Sequence, residues 1–119
     1  MTNSTAYAMP GIQERYLAKL STFSEITESV CKIYDKNVGE LTARTRKRDI
    51  VFPRQVCMTL CKLKTKHSLS SIGIYYGGFD HATVIHALKI VKNMIDTDRN
   101  IRSEIGHLFV GVKWPYLKN

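Results

Sequence analysis

Residues 77–88 read Gly77-Gly78-Phe79-Asp80-His81-Ala82-Thr83-Val84-Ile85-His86-Ala87-Leu88, and the fold turns on how this stretch is read. The Gly-Gly pair breaks whatever precedes it, because glycine enters positive φ without a Cβ penalty. Asp80 is a residue type that caps helix N-termini. Beyond it, Val84, Ile85, Leu88, Val91, Met94 and Ile95 recur at helical spacing, which predicts an amphipathic helix to about residue 96. Just upstream, Ser68 is a second candidate cap, and Leu69, Ile72 and Tyr75-Tyr76 share one face of a shorter helix. Two helices joined by a glycine-containing turn, the second well capped, make a helix-turn-helix. The spacing alone is a weak signal, since plain αα corners share it.

Working outward, residues 53–64 carry Val56, Cys57, Met58, Leu60 and Leu63 as a broad apolar stripe. Pro53 is expected in the first turn of that helix, where a missing N–H costs little. Lys62, Lys64 and Lys66 fall off the stripe. Further upstream, Ile26, Val30 and Ile33-Tyr34 predict an amphipathic helix that Ser21 or Ser24 would cap. Ile12, Tyr16, Leu17 and Leu20 share one face of a separate helix before it, behind a polar and loose segment 1–11. Lys36 to Gly39 reads as a helix exit, and a short turn of helix can hold Val38 and Leu41. After residue 96, Asp98 to Phe109 is weakly helical. No alternating strand pattern and no repeat occur in the chain. The expected class is all-α, a multi-helix bundle containing the helix-turn-helix.

The chain has 119 residues, a one-domain length, with 44% hydrophobic and 24% charged residues. No window is long and apolar enough for a membrane span, and no secretory leader is evident. Cys31, Cys57 and Cys61 cannot all pair within one chain, which fits a reducing compartment. A cytoplasmic, nucleoid-associated location and no membrane partner are therefore expected. The net charge is +8, and residues 41–68 hold eight basic groups against the single acid Asp49. Arg44-Thr45-Arg46-Lys47-Arg48 places four cations in five positions. Such a run is often only a solvated face, but its self-repulsion favours a polyanionic partner.

Chemistry other than binding finds no support. Asp80 and His81 are sequence neighbours and point apart on a helix, so they make a poor acid–base dyad. Cys57 and Cys61 lack the spacing of a structural zinc site, and read as small buried hydrophobes. His67, His81 and His86 add no ligand pattern, and His86 reads as a structural histidine amid apolar neighbours. Gly77-Gly78 lacks the Lys-Ser/Thr of a phosphate loop. No catalytic residue, metal or cofactor is expected. Duplex DNA suits the remaining pattern. Asp80, His81, Ala82 and Thr83 occupy the first exposed turn of the second helix, where acceptors and methyl groups can meet base edges. Arg44, Arg46, Lys47 and Arg48 lie on a loop that can reach a minor groove. Arg54, Lys62, Lys64, Lys66 and the Ser68 cap suit phosphate contacts.

The string RKRDIVFPRQVCMTL, then HSLSSIG, then GGFDHATVIHALKIV resembles the C-terminal, DNA-binding domain of the bacterial replication initiator DnaA. The likeness runs from about residue 24 to 96. It implies a Trp-repressor-like helix-turn-helix that binds double-stranded DNA at short boxes. By the resemblance, Arg46 enters the minor groove, and Asp80 and His81 read bases with Ala82 and Thr83. Arg54, Gln55, Lys62, His67, Ser68 and Leu69 match positions near the DNA backbone. Two positions depart. The family usually has a hydroxyl residue where Ala82 stands, and often a basic one where Phe79 stands. Residues 1–23 and 97–119, an N-terminal extension and a C-terminal helix with tail, fall outside the likeness. No nucleotide-binding motif accompanies the domain. The expectation is a stand-alone box-binding module with an accessory or regulatory role in replication or transcription, which would meet protein partners at origins or promoters. A DNA-targeting module of a mobile element is an alternative compatible with that expectation. The rival reading is a protein-interaction module that uses Leu69, Phe79, Phe109, Trp114 and Tyr116.

Overall fold

One helix is buried on nearly every side, and the rest of the chain is arranged around it. The structure is a computed structural model that describes residues 12–115. Its elements are α1 (Ile12–Tyr34), α2 (Val38–Leu41), α3 (Arg48–Lys64), α4 (Leu69–Tyr75), α5 (His81–Thr97) and α6 (Arg99–Ile105), followed by a 3-10 turn, Gly106–Phe109. Among the described residues there is no strand, so the all-α expectation holds. The hub is α3, which touches α1, α2, α4 and α5. It buries Ile50, Pro53, Val56, Cys57, Met58, Leu60 and Cys61, more than one stripe, as a helix at the centre of a bundle must. Against it α5 presents Val84, Ala87, Leu88 and Val91, one inward face at i, i+3, i+4, i+7.

Two expectations about helix ends are corrected. Neither Ser21 nor Ser24 caps a helix, because α1 runs unbroken from Ile12 to Tyr34. No Pro or Gly lies in that span, and the hydroxyls of Thr27 and Ser29 turn back on the carbonyls of Phe23 and Glu25 within the helix. Likewise, α3 begins at Arg48, so Pro53 sits in its second turn. The ladder starts there because Ile50 and Val51 both donate to the Lys47 carbonyl. Pro53 then leaves the Asp49 carbonyl without its helical donor. Arg48 consequently belongs to a helix, while Arg44, Arg46 and Lys47 remain on the loop. The side chains of 12–21, and with them the expected face of Ile12, Tyr16, Leu17 and Leu20, lie outside the described residues, as do segment 1–11 and Tyr116.

The short connections are set by local chemistry. Asp35 ends α1 at φ 55. Asn37 and Glu40 then form a reciprocal capping box on α2, with bonds of 2.8 and 2.9 Å. Ser68 caps α4 by accepting from the Ser71 amide at 3.0 Å, as its sequence position predicts. Asp98 ends α5 and caps α6 through the Ile101 amide.

A buried polar chain ties the helix-turn-helix to the hub. Tyr76, at the end of α4, is wholly buried. Its hydroxyl lies 2.7 Å from Thr27 Oγ1 on α1 and 3.4 Å from Cys61 Sγ on α3. Thr27 spends its one hydroxyl proton on the Phe23 carbonyl, at 2.6 Å. Tyr76 must therefore donate to Thr27, and the Cys61 thiol to Tyr76. Burial pushes that thiol up to about 12, so it keeps the proton it donates.

Candidate nucleic-acid interface

The turn between α4 and α5 is made by backbone that lies too close for side chains. Gly73 sits inside α4, and a Cβ there would overlap the Phe79 carbonyl oxygen. Its own carbonyl accepts from the amides of Gly78 and Phe79, at 3.0 and 2.9 Å. Gly77 and Gly78 follow at φ 127 and 81, the positive region that the Gly-Gly pair predicts. The chain then extends through Asp80 and starts α5 at His81.

Asp80 caps α5 as predicted. Its Oδ1 accepts from the Thr83 amide and from the Thr83 hydroxyl, both at 3.0 Å. These two bonds hold its carboxyl below the usual carboxylate range. Asp80, His81, Ala82 and Thr83 are all exposed, so the first turn of α5 presents four adjacent side chains to solvent. The Thr83 hydroxyl proton is committed to Asp80, which leaves this side chain a methyl and an acceptor.

The basic loop is docked directly against that turn. Arg44 Nη1 donates to the Gly78 carbonyl at 2.6 Å and approaches the Gly77 carbonyl at 3.4 Å. From beneath, Arg54 Nη1 donates to the carbonyls of Ala43 and Thr45, at 3.0 and 2.9 Å. The Phe79 ring takes both guanidiniums, each with Cζ 4.6 Å from its centroid. An open groove of about 220 Å³ is lined by Arg44, Thr45, Arg46 and Phe79. Two segments more than thirty positions apart, the arginine loop and the turn before α5, thus meet in space.

The remaining candidates divide. Arg46, Lys47, Arg48, Lys64, Lys66 and Ser68 are exposed, and Gln55, Lys62 and Leu69 are partly so. Arg54 is only 6% exposed and His67 only 4%. The Arg54 side chain serves the loop from below. His67 stacks on Phe23 with centroids 3.9 Å apart, and its Nε2 lies 2.8 Å from the Thr22 hydroxyl. The other face of Phe23's environment is Tyr75, stacked at 4.4 Å. His86, read as a structural histidine, is exposed instead. Apolar neighbours in sequence misplace it. Val84, Ala87 and Leu88 set the inward face, and residue 86 falls opposite.

Three features were missed. The ring of Phe79 joins the loop to the turn, Tyr76 carries a buried hydrogen-bond chain, and Gly73 permits the close backbone approach. The sequence marks only the last two, as a tyrosine on an apolar face and a glycine inside a short helix. Among the described residues of the C-terminal segment, Phe109 is buried and stacks on Trp114 at 5.3 Å, and Lys92 lies over Trp114. Cys31, Cys57 and Cys61 are buried free thiols. Among the described residues, no three His, Cys, Asp or Glu side chains converge on a metal-sized site. No helix among them is long and apolar enough to cross a membrane.

Comparison with known proteins agrees with this architecture. Residues 23–91 match the family described as bacterial dnaA protein helix-turn-helix. The chain is 40% identical over 90 residues to the chromosomal replication initiator protein DnaA of Bacteroides fragilis, covering 76% of this chain and 19% of that protein. It is 47% identical over 81 residues to the protein of the same name from Streptococcus equi subsp. zooepidemicus, covering 68% of this chain and 18% of the relative. The chain thus spans less than a fifth of the length of these relatives.

Proposed function

The chain belongs to the bacterial DnaA helix-turn-helix family, and from that premise we propose that it binds double-stranded DNA sequence-specifically at short DnaA-box-like sites. The observation that carries this reading is the docking of the arginine loop on the turn before α5, through Arg44 and the Gly78 carbonyl. A helix start that enters a major groove then has a cationic arm beside it, placed for the adjoining minor groove.

In this reading Asp80, His81, Ala82 and Thr83 face the major groove. Capping is concentrated on Asp80 Oδ1, so the second carboxylate oxygen serves as acceptor for a cytosine N4 amine. The Ala82 and Thr83 methyls suit a thymine methyl. Arg46, exposed beside the groove that Phe79 lines, goes into the minor groove. Arg44, Lys47, Arg48, Lys62, Lys64, Lys66 and Ser68 contact phosphates, helped by Gln55 and Leu69. Arg54 and His67 act through the positions they hold. The module works without catalysis, in an accessory or regulatory role in replication or transcription on nucleoid DNA.

Selection of bound duplexes from a random pool tests this. A single enriched short box is the expected result, and an unselective pool would sink the reading. On the selected box, log affinity falls linearly with log salt, and Lys64→Ala flattens that slope by about one.

A further inference from the structure

Two arginines meet at Phe79 with no carboxylate to balance them. Among the described residues, the ion pairs are Lys36–Asp49 at 2.8 Å and Lys92–Asp96 at 3.0 Å, and neither Arg44 nor Arg54 takes part. Bringing two guanidiniums to one ring sets like charges close together. What offsets this is an aromatic face and four backbone carbonyls. Both are neutral. A carboxylate would hold the arginines more strongly, but it would cancel their charge and repel a phosphate. The ring quadrupole and the carbonyl dipoles fix geometry while leaving both charges in place.

The tethers act on consecutive loop residues. Arg54 holds the carbonyls of Ala43 and Thr45. Arg44 holds the turn. Backbone approach is close as well, since a Cβ on Gly77 would lie 2.9 Å from Phe79 Cε2 and 3.3 Å from Arg44 Cα. Arg46 is the next side chain after this tethered triplet. We infer that Phe79 is a positioning residue for DNA specificity, its ring fixing the loop through Arg44 and Arg54 so that Arg46 is held at one place beside the start of α5. An arm already ordered loses less conformational entropy when it binds, and it contacts one base step rather than several. This inference rests on the DNA-binding reading above and adds to it a residue that itself touches no base.

The test compares Phe79→Leu, which keeps bulk and loses the π face, with Phe79→Tyr, which keeps both. Wild-type and variant proteins are measured on the selected box and on single-base variants of it, and by 15N relaxation of residues 43–47 without DNA. Phe79→Leu should lower affinity for the box about tenfold. The loss should fall on discrimination at the A/T edge assigned to Arg46, leave discrimination at the Asp80 side unchanged, and come with greater loop motion. Phe79→Tyr should restore all three. Arg44→Lys, at an exposed position, keeps the charge and loses the planar stack, so it should reproduce the A/T-edge loss. Loop relaxation and A/T-edge discrimination at wild-type values in Phe79→Leu and Arg44→Lys, on an intact box preference, would overturn the inference alone. So would a loss spread evenly over all duplexes that Tyr fails to rescue. A wild-type protein with no duplex preference would overturn the DNA reading and the specificity role with it.

Discussion

The turn from α4 to α5 and the basic loop lie against each other, yet they are held by different means. The turn depends on what is absent: no side chain fits at Gly73, and Gly77 and Gly78 occupy positive φ. The loop depends on what is present, long guanidinium reaches from Arg44 and Arg54 to carbonyls and to one aromatic ring. Close packing is unforgiving, because neighbouring backbone cannot retreat. Side-chain tethers on a loop yield gradually, each contributing a small net free energy. Damage to the turn should therefore appear as lost stability, and damage to the loop as lost recognition.

Gly73→Ala should do the most damage. The added methyl meets the Phe79 carbonyl oxygen, and relief requires moving the whole turn. A loss of about 3 kcal/mol or more is expected, read as a fall in Tm of more than about 12 °C for a domain of this size. A Tm near wild type would show that the turn is as adjustable as the loop.

Tyr76→Phe comes next. It deletes the hydroxyl that joins Thr27 to Cys61 and keeps the buried ring. Thr27 still donates to the Phe23 carbonyl, so the Cys61 thiol is the group left without its acceptor. About 1 kcal/mol should be lost, seen as a lower denaturant midpoint with an unchanged slope.

Asp80 belongs to both regimes, as cap and as candidate base contact. Its carboxyl is held below its ordinary value of 3.8 by the Thr83 amide and hydroxyl. A carboxyl depressed in the folded state stabilises the fold above that ordinary value, and the contribution is lost as pH falls through the lower folded value. Asp80→Ala should thus melt earlier than wild type at neutral pH, and the gap should close in acid below about pH 3.8. A gap independent of pH would mean that the carboxylate is not what caps α5. Asp80→Asn keeps capping ability. It should melt close to wild type and shift base preference at one pair of the box, from cytosine toward adenine.

The smallest stability effect should be that of Arg46→Ala. The side chain is exposed, and surface substitutions usually stay within about 0.5 kcal/mol. Affinity should nevertheless fall, with weaker preference for A/T at one edge of the box. Melting curves with titrations on duplex variants separate the two. Unchanged binding would return Arg46 to the solvated face of a basic loop.

The local elements were legible because local chemistry makes them. Ser68 and Asp80 are caps by residue type and position, the Gly-Gly break needs only backbone freedom, and Val84, Leu88 and Val91 declare their face by period. Membership of the family was equally legible, carried by the run from Gly77 to Ala87. Partners distant in sequence were not. Arg54 reads as a phosphate contact because a cation beside other basic residues looks like surface, and the resemblance put His67 near the DNA backbone as well. The fold buried both, under a loop ten positions away and against Phe23 more than forty positions away. His86 went the opposite way, outward, because one residue of helical phase outweighs its apolar neighbours. Period, caps and charge are properties of neighbouring residues and can be read in one dimension. Which cation is freed for a ligand and which is committed to the protein depends on contacts between segments far apart in the chain, and only packing them together decides it.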